Sequence, residues 1–303
     1  MPGLTSLASV TTTLSYFTPP SGGERAYQKA LVDPVTGERT AEKNFDSEER
    51  RDIAIENVRG REDTVSLDKT GFQYFHHTSK HTSFANDEEI KAEYYPESIE
   101  LIKKLTGATR VLLTRSCKAL RRRIPGQKSP FNAPVAQVHV DQSSQASIAR
   151  VHRHLPASDV PKLLEKRFQI INLWRPIRHS ALDWPLALCD HRSVDPADIV
   201  PVALIYPDRE GETLGVKYNP NHKWKYLRGM TPEEVVLIKW YVSTTWLRDN
   251  FFGVADCPSV SFDSIQDGSV AIFTPHTGFE DPSTPEGTPF RESIELRSLV
   301  FYD

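Results

Sequence analysis

The 303-residue chain sets 37 Lys and Arg against 40 Asp and Glu, a formal net charge of −3, and 38% of its residues are hydrophobic. That balance excludes a protein built to coat nucleic acid, and no apolar stretch approaches the ~20 residues needed to cross a bilayer. Residues 1–17 hold no basic residue and no long apolar run, unlike a secretory signal, and the three scattered cysteines (Cys117, Cys189, Cys257) suggest neither a disulfide framework nor a zinc site, so a cytoplasmic globular protein is expected.

Residues 1–60 are polar, with Pro19-Pro20, Gly22-Gly23 and a charged run at 48–52. They are expected to wrap the surface, with a short helix around 47–57. Ile90, Tyr94, Ile99, Leu101, Ile102 and Leu105 recur at helical spacing and Thr106-Gly107 follows as a stop, predicting a helix over 88–105, interrupted near Pro96. Beyond Gly107 the pattern turns to strands at 110–114, 135–140, 168–174, 200–206, 213–218, 259–262, 270–274 and 293–302. One helix is expected among them. Thr231-Pro232-Glu233-Glu234 places a capping Thr, Pro at the first helical position and Glu at the third, ahead of 235–246. The basic run Arg121-Arg122-Arg123 reads as a solvated loop, and the segments from there to Pro134 and at 71–84 as lids.

Helices followed by at least eight strands predict an α+β fold with a double-stranded β-helix (jelly-roll) core. Residues 1–107 would be an N-terminal extension with helices packed on the core, and 108–303 the core itself, in one structural domain.

The sharpest local feature is Gln137-Val138-His139-Val140-Asp141. In a strand, residues two apart share a face. His139 and Asp141 therefore project together and supply two ligands of a 2-His-1-carboxylate site of the kind that binds non-haem Fe(II). His276, at the end of an expected strand, is the favoured third ligand, and His222 in Asn219-Pro220-Asn221-His222 is the competitor. The remaining histidines (His76, His77, His81, His152, His154, His179, His191) lie in polar stretches, among arginines or beside loops, and are set aside.

On the last strand Arg291, Ser293, Glu295 and Arg297 share one face, and Ile294, Leu296 and Val300 the other. Turning the polar face inward buries two guanidiniums, which is costly unless each meets an anion. A dicarboxylate would satisfy Arg291 and Ser293, and Glu295 is placed to satisfy Arg297. Asn172 and Trp174 share a face of another strand and are candidates for a substrate-pocket wall, although packing is the commoner use of such a Trp.

The order H-x-D, a distant His, then R-x-S resembles the Fe(II)/2-oxoglutarate-dependent dioxygenase superfamily. Further blocks resemble one fungal and bacterial family within it, which contains gibberellin desaturases, a cephem methoxylase component and fumigatonoid endoperoxide-forming oxygenases. They are Val58-Arg59-Gly60, Leu67-Asp68-Lys69-Thr70-Gly71-Phe72, Leu105-Thr106-Gly107-Ala108, Asn172-Leu173-Trp174-Arg175-Pro176-Ile177, Pro185-Leu186-Ala187-Leu188-Cys189-Asp190, His222-Lys223-Trp224-Lys225-Tyr226 and Pro275-His276-Thr277-Gly278-Phe279. The resemblance implies His139, Asp141 and His276 as iron ligands, and Arg291 with Ser293 as the anchor for the distal carboxylate of 2-oxoglutarate. It implies Fe(II), 2-oxoglutarate and dioxygen, with ascorbate supportive. The implied substrate is an apolar small-molecule secondary metabolite, a terpenoid or meroterpenoid, undergoing hydroxylation, desaturation or endoperoxidation. A homodimer fits the family. The gap from Asp141 to His276 is longer than in plant-type oxygenases, and the helix expected at 235–246 would fall in an insertion there. Two alternatives remain: a non-catalytic partner subunit of an oxygenase pair, and a cupin-like metalloenzyme that does not use 2-oxoglutarate.

Overall fold

The computed structural model describes residues 8–32, 39–122, 134–243 and 270–302. In chain order the strands are β1 (Ser9–Thr18), β2 (Ala26–Val32), β3 (Arg39–Lys43), β4 (Asp46–Asn57), β5 (Phe72–His76), β6 (Arg110–Arg122), β7 (His139–Val140) and β8 (Phe168–Pro176). They continue with β9 (Leu186–Cys189), β10 (Ile199–Tyr206), β11 (Arg209–Val216), β12 (Trp224–Tyr226), β13 (Glu234–Val242), β14 (His276–Gly278) and β15 (Glu292–Phe301). The α-helices are α1 (Asp87–Glu89), α2 (Tyr95–Thr106), α3 (Ser144–His154) and α4 (Val160–Leu164), with a π-helical turn, Ile90–Tyr94, joining α1 to α2. The strands form a ten-stranded sheet, ordered β1-β4-β12-β9-β14-β7-β11-β10-β2-β3, and a five-stranded sheet, ordered β5-β13-β8-β15-β6.

The small sheet is covered on both faces, which is why its central strands read as apolar runs rather than alternating ones. All nine residues of β8 are buried. Tyr74, Ile170, Trp174, Val236, Ile238 and Leu299 cluster with Leu188 of β9 in the large sheet. The alternate set, Ile171, Leu173, Val235, Leu237, Ile294, Leu296 and Val300, packs with Ile90, Tyr94, Leu101 and Ile102 of the helical stretch. That stretch runs on through the π-turn, with Pro96 in the first turn of α2, and stops at Gly107, whose φ of +71° lets its N–H reach the Lys103 carbonyl.

Several sequence expectations are corrected. Residues 1–60 contribute strands, not an irregular wrap, and the helix expected near 47–57 is β4, paired antiparallel with β1 from Ser9↔Glu56 to Thr18↔Asp46. The charged first half of β4 lies at the surface, so its sequence carries no apolar period to announce it. The described part of the helix expected at 235–246 is also a strand, β13, and 244–246 lie outside the described residues. Glu234 does close the capping turn, its N–H bonding the Thr231 carbonyl and its carboxylate taking the Thr231 N–H. The next residues, Val-Val-Leu-Ile-Lys-Trp-Tyr-Val, are β-branched, aromatic or apolar except Lys239, and lie between β5 and β8, where both faces are buried. Tertiary burial overrides the one-turn signal.

Of the strand expected at 135–140 only His139–Val140 is laddered, and 270–274 joins no strand. Arg121 and Arg122 belong to β6 rather than to a loop, and the first part of the expected lid at 71–84, Phe72–His76, is β5, paired with β13. What was expected of Arg123, of 123–133 and of 259–262 lies outside the described residues.

Candidate metal centre

β7 lies between β11 and β14, and His276 at the start of β14 pairs directly with His139 of β7. The two-residue period does the rest. Val138 and Val140 turn into an apolar cluster with Leu214 and Trp224, leaving His139 and Asp141 on the other face. The imidazole centroids are 4.4 Å apart. Asp141 bridges the rings, its Oδ1 3.4 Å from His139 Nε2 and its Oδ2 3.5 Å from His276 Nε2. One ligand atom from each of His139, Asp141 and His276 lies within 4.8 Å of the others.

Both tautomers follow from the hydrogen bonds. His139 Nδ1 donates to the Gln137 carbonyl at 2.8 Å, and His276 Nδ1 to the Thr274 carbonyl at 3.0 Å. A carbonyl can only accept, so each Nδ1 carries the proton and each Nε2 presents its lone pair to the centre. Burial pushes the Asp141 carboxyl upward. The Arg297 guanidinium, 3.7 Å away, and the two imidazoles outweigh it and hold the group well below the usual carboxylate range. For His276, burial works against the charged ring, yet Asp141 draws it above its ordinary value. Asp141 Oδ2 is buried and accepts no hydrogen bond among the described residues. Two imidazole lone pairs converging on such a carboxylate suit a divalent iron, and the donor set is that of the facial triad.

His222 is not brought to this centre. Its ring stacks on Tyr16 and its Nε2 lies 3.1 Å from Asp198 Oδ2. Two of the histidines set aside from the sequence lie elsewhere: His81 faces Glu93, and His191 Nε2 accepts from the Ile272 N–H.

β15 is not an edge strand but lies between β8 and β6, with Ser293 facing Pro176, Glu295 facing Trp174 and Arg297 facing Asn172. Arg297 meets Glu295 at 3.3 Å as expected and lies 4.6 Å over the Trp240 ring. Arg291 is held by backbone. Its guanidinium donates to the Trp184 carbonyl and sits 5.5 Å over the Trp174 ring, while its N–H donates to Asp183 Oδ2 at 3.0 Å. Trp184 has φ +46°, an uncommon conformation for a bulky residue, at the point where it receives this guanidinium.

The Ser293 hydroxyl and both ends of the Asn172 amide are buried without hydrogen-bond partners among the described residues. Trp174 is part of the core. With Tyr74, Pro185, Leu186, Leu227 and Met230 it lines an apolar cavity between the sheets. Sequence reasoning missed Trp240, hidden by the helical reading of its segment. It also missed Asp183 and Trp184, for which the adjoining Pro185–Asp190 block was the available signal.

Comparison with known proteins agrees. A family model described as "Oxidoreductase/YMDC permease-like domain" matches residues 14–252 and 260–301. The hydroxylase/desaturase efuI of Hormonema carpetanum is 33% identical over 273 residues, covering 83% of this chain and 83% of the relative. The hydroxylase/desaturase CTB9 of Cercospora beticola is also 33% identical, covering 84% and 78%. The Fe(II)/2-oxoglutarate-dependent dioxygenase nvfI of Aspergillus novofumigatus is 28% identical over 94% of both chains. A solved structure of the iron and alpha-ketoglutarate-dependent endoperoxidase NvfI superposes with a TM-score of 0.75 at 25% identity, covering 97% of this chain and 98% of that one.

Proposed function

The chain belongs to the oxidoreductase family that the model describes and, within it, to the hydroxylase/desaturases among Fe(II)/2-oxoglutarate-dependent dioxygenases; on that premise we propose how its residues divide the work. It is an Fe(II)/2-oxoglutarate-dependent dioxygenase of secondary metabolism, requiring Fe(II), 2-oxoglutarate and dioxygen. His139, Asp141 and His276 are the metal ligands, and the convergence of their donor atoms is the observation that carries the reading. The bound metal supplies activation of dioxygen, coupled to oxidative decarboxylation of 2-oxoglutarate to succinate and carbon dioxide, for oxidation of a substrate C–H bond.

The protein's part is positioning and exclusion of water. Nδ1–H bonds to backbone carbonyls keep both imidazoles aimed at the centre. Arg291 grips the distal carboxylate of 2-oxoglutarate and Ser293 gives it a hydroxyl hydrogen bond. Support comes from the buried Ser293 Oγ, which has no other acceptor among the described residues. Asp141 and Glu295 hold the Arg297 guanidinium beside the ligands, so the buried charges balance locally. Asn172 forms a polar part of the substrate pocket wall and Trp174 an apolar part.

The two sheets are the halves of a double-stranded β-helix, and 1–107 packs with 108–303 as one structural domain. The substrate is an apolar small molecule of terpenoid or meroterpenoid type, as the family resemblance implies. The intact triad weighs against a non-catalytic partner subunit. Among the described residues no helix is long and apolar enough to cross a membrane.

The test is turnover. Purified protein with Fe(II), ascorbate and 2-oxoglutarate should release succinate faster when given terpenoid candidates, and His139→Ala should release none. Metal binding without affinity for 2-oxoglutarate would overturn the co-substrate assignment in favour of a cupin-like enzyme.

A further inference from the structure

Residues 271–275, which lead into His276, belong to no strand yet are all buried. Buried backbone without a ladder must find partners elsewhere. Here they come from two separate parts of the chain. The Ala271 N–H donates to the Asp68 carbonyl at 2.7 Å, and the Ile272 N–H to His191 Nε2 at 3.5 Å. The Pro275 carbonyl accepts from the Cys189 N–H at 2.8 Å. Between these anchors the Thr274 side chain adds a second bond to the turn before β5, beside that of Ala271. Its hydroxyl donates to the Gly71 carbonyl at 2.7 Å. The same carbonyl accepts the Lys239 N–H of β13 at 2.8 Å, so Thr274 is tied through Gly71 to the small sheet.

Gly71 is shaped for this approach. Its φ is +92°, and a Cβ there would lie 2.3 Å from Thr274 Oγ1 and 3.0 Å from the Phe273 carbonyl oxygen. Any side chain would push Thr274 away. The other face of the Thr274 peptide matters most to the centre, since its carbonyl receives the His276 Nδ1 proton. Rotation of that peptide would swing the carbonyl, release Nδ1 and turn Nε2 off the Asp141 side. His139 has a parallel arrangement. Its ring is held by the Gln137 carbonyl, and the adjoining Val138 N–H is bonded to the Ser15 carbonyl of β1 at 2.8 Å. Each imidazole is thus aimed by a peptide that a more distant element holds.

We propose that the Gly71–Thr274 contact is a positioning latch for His276: the Thr274 hydroxyl fixes its own peptide against Gly71, and that peptide's carbonyl sets the tautomer and angle of the imidazole. Thr274 and Gly71 are positioning residues that act through His276, and the inference rests on His276 being a metal ligand. The latch also accounts for the Leu67–Phe72 and Pro275–Phe279 blocks standing together in a site that the first of them does not enter.

The experiment titrates purified metal-free protein with Co(II), followed by calorimetry and by the Co(II) absorption spectrum, which reports ligand geometry without turnover. Wild type is compared with His276→Ala, Thr274→Val and Thr274→Ser. Loss of an outer partner of a ligating histidine typically costs 10–100-fold in metal affinity. Thr274→Val is expected to weaken Co(II) binding about tenfold and alter the spectrum, whereas Thr274→Ser, which keeps the hydroxyl, should restore both. Should Thr274→Val not fold, Thr274→Ala removes the same hydroxyl without adding bulk and must give the same loss. Unchanged Co(II) affinity in His276→Ala would remove the ligand reading itself. Loss in His276→Ala with wild-type affinity and spectrum in Thr274→Val, or in Thr274→Ala, would leave that reading standing and overturn the latch.

Discussion

Replacing Ser293 by Ala separates binding from folding, because the two should move in opposite directions. The Ser293 side chain is fully buried and its Oγ makes no hydrogen bond among the described residues. A buried hydroxyl left unsatisfied costs about 1–3 kcal/mol, so its removal should leave the metal-free, co-substrate-free protein as stable as before or about 1 kcal/mol more stable. At this chain length 1 kcal/mol amounts to roughly 2 °C in Tm. In the proposed anchor, the same hydroxyl would donate to a carboxylate of bound 2-oxoglutarate. A hydrogen bond to a charged group contributes about 2 kcal/mol, so Ser293→Ala should weaken 2-oxoglutarate binding roughly 30-fold. Urea unfolding with and without 2-oxoglutarate, combined with calorimetric titration of the metal-loaded protein, measures both quantities. A variant destabilised by more than about 1 kcal/mol without co-substrate would show that the hydroxyl serves the fold. Unchanged 2-oxoglutarate affinity would remove Ser293 from the anchor.

Two further predictions concern the frame around the centre. Gly215 of β11 pairs with His139, and a Cβ built on it would come within 2.5 Å of the Phe17 ring; Gly215→Ala should cost about 1–3 kcal/mol in a urea melt, and a cost under about 0.5 kcal/mol would mean that Phe17 swings away freely. His191 is pushed down to about 4, chiefly by burial and then by the Lys239 charge. A histidine whose folded value is depressed contributes its stability fully above the unfolded value of about 6.5 and loses it as pH falls toward the folded value, an interval worth about 3 kcal/mol. His191→Gln, which keeps an acceptor for the Ile272 N–H, should therefore show a flatter stability curve than wild type between pH 6.5 and 4.5, measured by urea titration at each pH; parallel curves would refute the assignment.

What the sequence conveys about this fold follows from what each element touches. The two faces of β15 could be told apart because Ser293, Glu295 and Arg297 fall at alternate positions, and the structure buries Ile294 and Leu296 against the helical stretch while Arg297 turns to Asp141. The pair His139 and Asp141 was readable for the same reason, the two-residue period of a strand. β4 was not, since its first half is charged and solvated, and pairing with β1 is what makes that half a strand. β13 was misread because a genuine capping turn precedes it. Above all, no local pattern reports which strands lie side by side. That β14 pairs with β7 is a fact of topology, and it brings His276 rather than His222 beside His139.

The structure gives His222 a different task. Its ring is buried on Tyr16, and Asp198, which it contacts at 3.1 Å, keeps an Asn219 Nδ2 bond at 2.8 Å. Burial lowers its pKa, while Asp198 pulls the other way. Removing the ring would leave a cavity and cost the Asp198 carboxylate one of its partners, a loss of about 3 kcal/mol. The Asp198–Asn219 bond would remain to limit the damage. His222→Ala should accordingly lower the urea midpoint substantially while binding Co(II) with wild-type affinity and spectrum, the reverse of His276→Ala. Should His222→Ala abolish Co(II) binding in a protein that still unfolds cooperatively, the ligand set would have to be His139, Asp141 and His222, and the pairing of β14 with β7 would lose its functional meaning.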